Sequence, residues 1–509
     1  MGRHPTAWRL RGGRIYSAPF DSVHATECFV QKGCIAADAR AENDLHTFHL
    51  QGHALYPGFV DAHVHLEWYG MQARQIDLRH LHSWQEVLQQ LQGYTVPDAG
   101  AWIRGFGIDD RHWNEPPRYG DLDVLFPNQG VVLERIDRHA GLANTTALRQ
   151  AGSLNQAPAH GWLDDHILDR LRQAEPKPTD EVRKEAFRRA LRDALSCGLT
   201  TLNDAWLTPE AGSLLASVLE EDYRWPRVRA LLAPDAPGAE KLLQRGPHRQ
   251  GRLHWNGIKL FADGALGSRG AWLQQPYADC PDHSGQCLHD AAYYDHWMRQ
   301  ARAHAWPVAT HAIGDAAHQF VIHLYDRHMS RGRDLRWRIE HAQVVDADDL
   351  FLYQSRGIIP SVQPAQLASD LEWLPRRLGA DRMRRVHPHR DLLHHAGRLA
   401  YGTDAPIEPL HPARGFLALI GARPEGLPTQ SVLSRSHALR TMTVDAAYAM
   451  GCEKAFGLIK PGHHADLVCW RYNWRTDSPS QLAQNEPMAV WIGGQLAYLH
   501  PEWADKPGV

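Results

Sequence analysis

Eight short apolar runs punctuate this chain, at 57–65, 199–204, 227–233, 257–263, 307–311, 336–341, 357–362 and 398–404. From the second run onward, the stretches between them carry apolar residues at helical spacing. Asp180–Ser196 is the clearest case: Val182, Ala186, Ala190 and Leu191 share one face, and Gly198 supplies the stop. Further helical patterns span 209–222, 291–305, 318–329, 346–355 and 382–395. Strand then helix, repeated in this way, predicts an α/β fold of the (β/α)8 TIM barrel type.

The first interval breaks the rhythm. Residues 68–175 are too many for one helix, so they predict a large insertion after barrel strand 1, with strand-like runs at 101–106 and 130–136. The two chain ends resemble each other instead. Residues 7–56 and 458–500 alternate and turn often, as short antiparallel strands do. Neither end carries an obvious core, so 1–56 with 457–509 are expected to pair as a small β-sandwich domain beside a barrel of 57–456.

Composition changes this picture little but excludes several function classes. The chain of 509 residues is 43% hydrophobic and 22% charged, which suits a large buried core. A formal net charge of −3 and the absence of a polybasic run argue against a nucleic-acid partner or a membrane surface. No apolar stretch is long enough to span a bilayer, and the first residues do not read as a secretory signal. The seven scattered Cys read as reduced thiols of a cytoplasmic protein, Cys280 and Cys287 included, as two thiols of one loop. Most of the 18 Trp, with Trp102, Trp113 and Trp272 among them, are expected to pack.

The candidate chemistry lies where the runs end. His63 and His65 close the first run, and residues two apart on a strand face the same way, so both imidazoles suit one cation. With 33 His in the chain, such spacing also arises by chance, and the pairs His80/His82 and His387/His389 read as solvated surface. The first pair does not stand alone. Lys259 lies in the fourth run, His311 ends the fifth, His341 the sixth and Asp404 the eighth. In a barrel of this kind the C-terminal strand ends build the active site, so four His, one Lys and one Asp would converge at one mouth.

This ordered set resembles the amidohydrolase superfamily, and in detail its family 3 branch, which includes N-substituted formamide deformylases. The resemblance rests on Pro57-Gly58 with Asp61-Ala62-His63-Val64-His65, on 259–269, and on His311-Ala312-Ile313-Gly314-Asp315. It continues through Glu340-His341-Ala342-Gln343, Ser361-Val362-Gln363-Pro364, Gly402-Thr403-Asp404-Ala405-Pro406 and the closing 457–468. It implies two divalent ions, most often zinc. His63, His65 and Asp404 would hold the more buried ion, His311 and His341 the second, and a carboxylated Lys259 would bridge them. The carbamate needs a neutral amine, and burial beside cations favours that form. Asp404 would be the general base acting on a hydroxide shared by the ions.

His139 and Asn144 of the insertion, together with Asp263 and Arg269, are candidate substrate contacts, and 264–269 reads as a lid or anion-binding loop. Relatives in this branch usually carry Asp-Gly-His where this chain has Asp137-Arg138-His139. The expected activity is cytoplasmic hydrolysis of a non-peptide carbon–nitrogen bond, in an amide or N-substituted formamide of low molecular weight. Ester or lactone hydrolysis, a one-metal deaminase and a non-catalytic regulatory protein are the alternatives. A homodimer is a family-level expectation.

Overall fold

A computed structural model describes residues 7–18, 20–38, 45–94, 100–110, 113, 115–135, 140–156, 162–163, 165–329, 334–422 and 428–504. It divides into two compact units, Met1–Leu66 with Phe187–Val509, and Glu67–Ala186.

The larger unit holds eight parallel strands: β1 (Phe59–Val64), β2 (Leu199–Leu207), β3 (Arg227–Leu232), β4 (Leu253–Phe261), β5 (Val308–Ala312), β6 (Arg338–His341), β7 (Ile359–Val362) and β8 (Ala400–Tyr401). They pair in chain order, β1 to β8. Each overlaps one of the eight apolar runs, with β2, β4 and β5 extending beyond theirs. β1 is buried throughout, and its Phe59, Val60 and Val64 are almost wholly withdrawn from water. Such side chains stabilise the fold by about 1.5–3 kcal/mol each. β8 is only two residues long, and the chain beyond it brings the two edges of the sheet together. Asp404 N–H donates to the His63 carbonyl at 2.7 Å, and His65 N–H donates to the Ala405 carbonyl at 2.9 Å.

The helix at Asp180–Ser196 has the expected bounds. Two other helical stretches differ from expectation for local reasons. Asp315–His328 begins earlier than the apolar pattern, because Gly314 takes the N-cap position and acidic Asp315 suits a helix N-terminus. The stretch 382–395 breaks into a short 3-10 turn and a helix at His389–Ala396, because Pro388 has no N–H with which to continue a helix. Among the described residues no helix is long and apolar enough to cross a membrane.

Strands from both chain ends share one sheet in the same unit. Leu467–Trp470 runs antiparallel to Ala54–Pro57, and Ala7–Ile15 pairs His46–His49 with one half and Ala54–Pro57 with the other. Leu10, Val30, Phe48, Leu467 and Trp491 fill a common core, where Phe48 meets the edge of Trp491 at 4.9 Å.

The smaller unit is built on a four-stranded sheet in the order Gly141–Ala143, Val131–Arg135, Ile103–Ile108, Ile76–Asp77. Leu78, Val87, Leu91, Ile103 and Leu133 pack on it. Trp102 and Trp113 lie in or against its apolar clusters, as packing residues do.

The seam between β8 and β1 leaves no room at Gly402. A Cβ there would lie 2.5 Å from the Cβ of His63 and 2.8 Å from its backbone nitrogen. Gly402→Ala is therefore expected to destabilise the protein by about 1–3 kcal/mol, as overpacking does. A denaturant titration beside the parent measures it.

Candidate metal centre

Asp61 and His63 alternate onto the same side of β1. Asp61 is fully buried and ties β1 to the chain after β8. Its Oδ1 accepts from the N–H groups of His63 (3.1 Å) and Thr403 (3.0 Å), and its Oδ2 accepts from the Thr403 hydroxyl at 2.6 Å. Asp404 and His341 follow at strand ends with φ of +59° and +72°, a region costly for any residue with a Cβ. That backbone turns both side chains out of the regular strand alternation.

The six candidate ligands form one connected cluster. His63 Nε2 lies 3.3 Å from Lys259 Nζ and 3.4 Å from Asp404 Oδ1. His65 Nε2 lies 3.3 Å from the same Asp404 oxygen. The rings of His63 and His341 are 5.1 Å apart, and those of His341 and His311 are 4.4 Å apart. Donor atoms of His63, His341 and Asp404 all fall within 4.8 Å of one another.

Electrostatics prepares these groups as lone-pair donors. Burial, then the neighbouring Lys259, holds His63 well below the usual imidazole range. Burial lowers His311 and His341 likewise, helped by neighbouring imidazoles and by Lys259. Burial brings Lys259 down to about 8, toward its neutral amine. For Asp404 burial acts upward, but His63, His65 and Lys259 outweigh it and hold the carboxyl below its ordinary value. Neutral imidazoles beside an anionic carboxylate are what a borderline divalent cation requires. His341 Nδ1 is buried without a hydrogen-bonding partner among the described residues, a lone pair left for such an ion. The donor set fits a metal.

Four further residues, to which the motif pattern gave no role, contact the cluster directly or through one another. Glu340 Oε2 sits 2.6 Å from His63 Nδ1, so His63 donates that N–H and keeps Nε2 for a ligand. Arg338 Nε balances the other Glu340 oxygen at 2.7 Å, with both side chains inside the barrel. Gln366 donates to Asp404 Oδ2 at 2.8 Å and accepts from Gln343 at 2.7 Å. The available signal was the pair Arg338 and Glu340, two opposite charges two residues apart, alternating with the apolar Trp337 and Ile339.

The candidate substrate contacts are placed differently. Asp263 is buried and accepts three backbone N–H groups, from Ile313 (3.0 Å), Gly314 (2.8 Å) and Trp272 (2.9 Å); burial pushes its carboxyl up to about 7. Arg269 makes a two-pronged ion pair with Asp279. Asn144 caps the helix Thr145–Gln150, accepts from Val131 and Ala147, and donates to the carbonyls of Phe126 and Gln129. Each is held by local hydrogen bonds or an ion pair, and Asp263 Oδ1 also lies 3.4 Å from Nε2 of the candidate ligand His311. His139, with Arg138 before it, lies outside the described residues. Of the two other His-x-His pairs, His80 and His82 are exposed, as expected. His387 and His389 are not the solvated pair their polarity suggested: both are buried, with His389 Nδ1 3.3 Å from the Ser431 carbonyl.

A model of the amidohydrolase family matches residues 47–498. The chain is 30% identical over 528 residues to the candidate amidohydrolase YtcJ of Bacillus subtilis (strain 168), covering 96% of this chain and 98% of that protein. It is 24% identical over 542 residues to the N-substituted formamide deformylase of Arthrobacter pascens, covering 96% and 94%. Its fold matches the crystal structure of an uncharacterized metal-dependent hydrolase from Pyrococcus horikoshii OT3 with a TM-score of 0.81 and 26% identity, over 93% of this chain and 99% of that one.

If Glu340 orients His63, Glu340→Gln weakens zinc binding about 10–100-fold, the range for lost partners of metal-binding His. Competition against a chromogenic chelator, on protein with parental circular dichroism, reads this out. Unchanged affinity would remove Glu340 from that role.

Proposed function

The chain belongs to the amidohydrolase family and is a metal-dependent hydrolase, and on that premise we propose that it cleaves the carbon–nitrogen bond of a small non-peptide amide, an N-substituted formamide being the favoured class. The observation that carries this reading is the convergence of His63, His341 and Asp404 within 4.8 Å, with Lys259 3.3 Å from His63. The likeness to a formamide deformylase over nearly the whole chain supports the substrate class.

In this reading His63, His65 and Asp404 would hold one ion, His311 and His341 would hold a second, and Lys259, carboxylated on its amine, would be a ligand shared by both. Two zinc ions bound there would supply Lewis acidity toward a carbonyl oxygen and lower the pKa of water. Lys259 is disposed toward the neutral amine that takes up carbon dioxide. Asp404 has one oxygen anchored by Gln366 and the other facing His63 and His65. It accepts a proton from the attacking water and returns it to the departing nitrogen as the carbon–nitrogen bond breaks. Residues 1–56 with 457–509 are read as a β-sandwich domain, 57–456 as the barrel and 68–175 as its insertion. The setting is taken as cytoplasmic.

Zinc-loaded protein is expected to hydrolyse members of an N-substituted formamide and amide panel faster than matched esters. Asp404→Asn should lower kcat by about 10²–10⁴-fold, the usual worth of a general base. Mass-spectrometric metal analysis and circular dichroism accompany the kinetics, and near-normal turnover in folded, metal-replete Asp404→Asn would refute the assigned base. Lys259→Ala should lose activity that acetate or propionate partly restores. Full activity without the lysine would remove the bridge.

A further inference from the structure

The barrel has a second charged feature at its opposite end, where β3 and β4 begin. A cavity of about 310 Å³ is lined there by Arg227, Arg229, Arg249, Arg252, Lys454 and His254, with no carboxylate among its lining residues. His254 and Lys259 lie at opposite ends of β4, roughly 16 Å apart at the rise of an extended strand, so this cavity is separate from the metal centre.

Part of this positive charge is answered within the protein, but among the described residues Arg229, Arg249 and Lys454 form no ion pair. Arg227 is paired, through two bonds of 2.7 and 3.1 Å to Asp466. Arg252 donates from its two terminal nitrogens to the backbone carbonyls of Leu219, Asp222, Tyr223 and Trp225. Arg229 is the informative one. It is only 9% exposed, and its Nη1 meets His254 Nδ1 at 2.5 Å and the Met450 carbonyl at 3.1 Å. Among the described residues no carboxylate pairs with it. A guanidinium cannot shed its charge as a buried lysine can, and a buried unpaired charge is costly. Burial first, and then Arg229 and Arg249, bring His254 down to about 4, so the imidazole stays neutral beside them.

We propose that this cavity binds a phosphate group, either free or carried on a small molecule such as a nucleotide. Planar guanidinium forks match phosphate oxygens, and several cations around one concavity match a dianion better than a single carboxylate. The limited volume and the net charge of −3 favour a small ligand over a nucleic-acid strand.

Calorimetric titration of the zinc-loaded full chain, with inorganic phosphate in one arm and AMP in the other, tests this. A saturable site is expected that weakens as salt rises and persists in His63→Ala. Arg229→Met should weaken it about tenfold or more, the worth of one charge-assisted hydrogen bond. Arg249→Ala combined with Lys454→Ala, both exposed in the parent, should do the same and guards against misfolding of the buried variant. Tighter binding of AMP identifies a phosphate ester as the ligand, and equal binding identifies free phosphate. No saturable binding in either arm overturns the proposal. So does binding that survives the double variant or vanishes in His63→Ala.

Discussion

Glu340 is a fully buried carboxylate, so its charge has to be answered by its neighbours. Arg338 answers one oxygen and the N–H of His63 the other. This bond couples β6 to β1 across the barrel interior and dictates which face of the His63 ring is free. Three other members of the candidate centre lie around that ring: Lys259 and Asp404 against its Nε2, and His341 beside it. Without the carboxylate, the imidazole would have no reason to hold one tautomer and one orientation. Without Arg338, the carboxylate would be a buried, unpaired charge.

The barrel makes the centre possible by bringing distant strands side by side, and the centre in turn depends on how the barrel closes. β8 contributes only two residues to the ladder. Asp61 holds Thr403 through both carboxylate oxygens, Asp404 N–H bonds the His63 carbonyl and His65 N–H the Ala405 carbonyl across the seam, and Gly402 lets the two segments touch. The same residues that carry the proposed chemistry therefore fasten the sheet, and a change in either role disturbs the other.

The alternation of apolar runs with helical patterns made the barrel legible, because strand and helix periodicities are local properties of sequence. The residues ending those runs were legible too, since an imidazole or an amine at the edge of an apolar strand is conspicuous. What escaped were relations between distant segments. Glu340 stood in plain view beside His341, but its partner is 277 residues away. Gln366 looked like any polar helix residue until it met Asp404. His387 and His389 looked solvated because Arg and His crowd that stretch, yet their rings are buried. The short edge strands Ile76–Asp77 and Gly141–Ala143 are too brief to leave a period. The basic cavity draws on residues from 227 to 464, which no window of sequence would group.

Asp61 and Thr403 are separated by 342 positions. A ribosome adding roughly 5–20 residues per second needs on the order of 20–70 s to cross that interval. Over that time Lys259, His311, Glu340 and His341 are added in turn, and Asp404 comes last. A nascent chain can thus offer an ion only a fraction of its final coordination. The full set of candidate donors therefore exists only once the segment carrying Asp404 has been made.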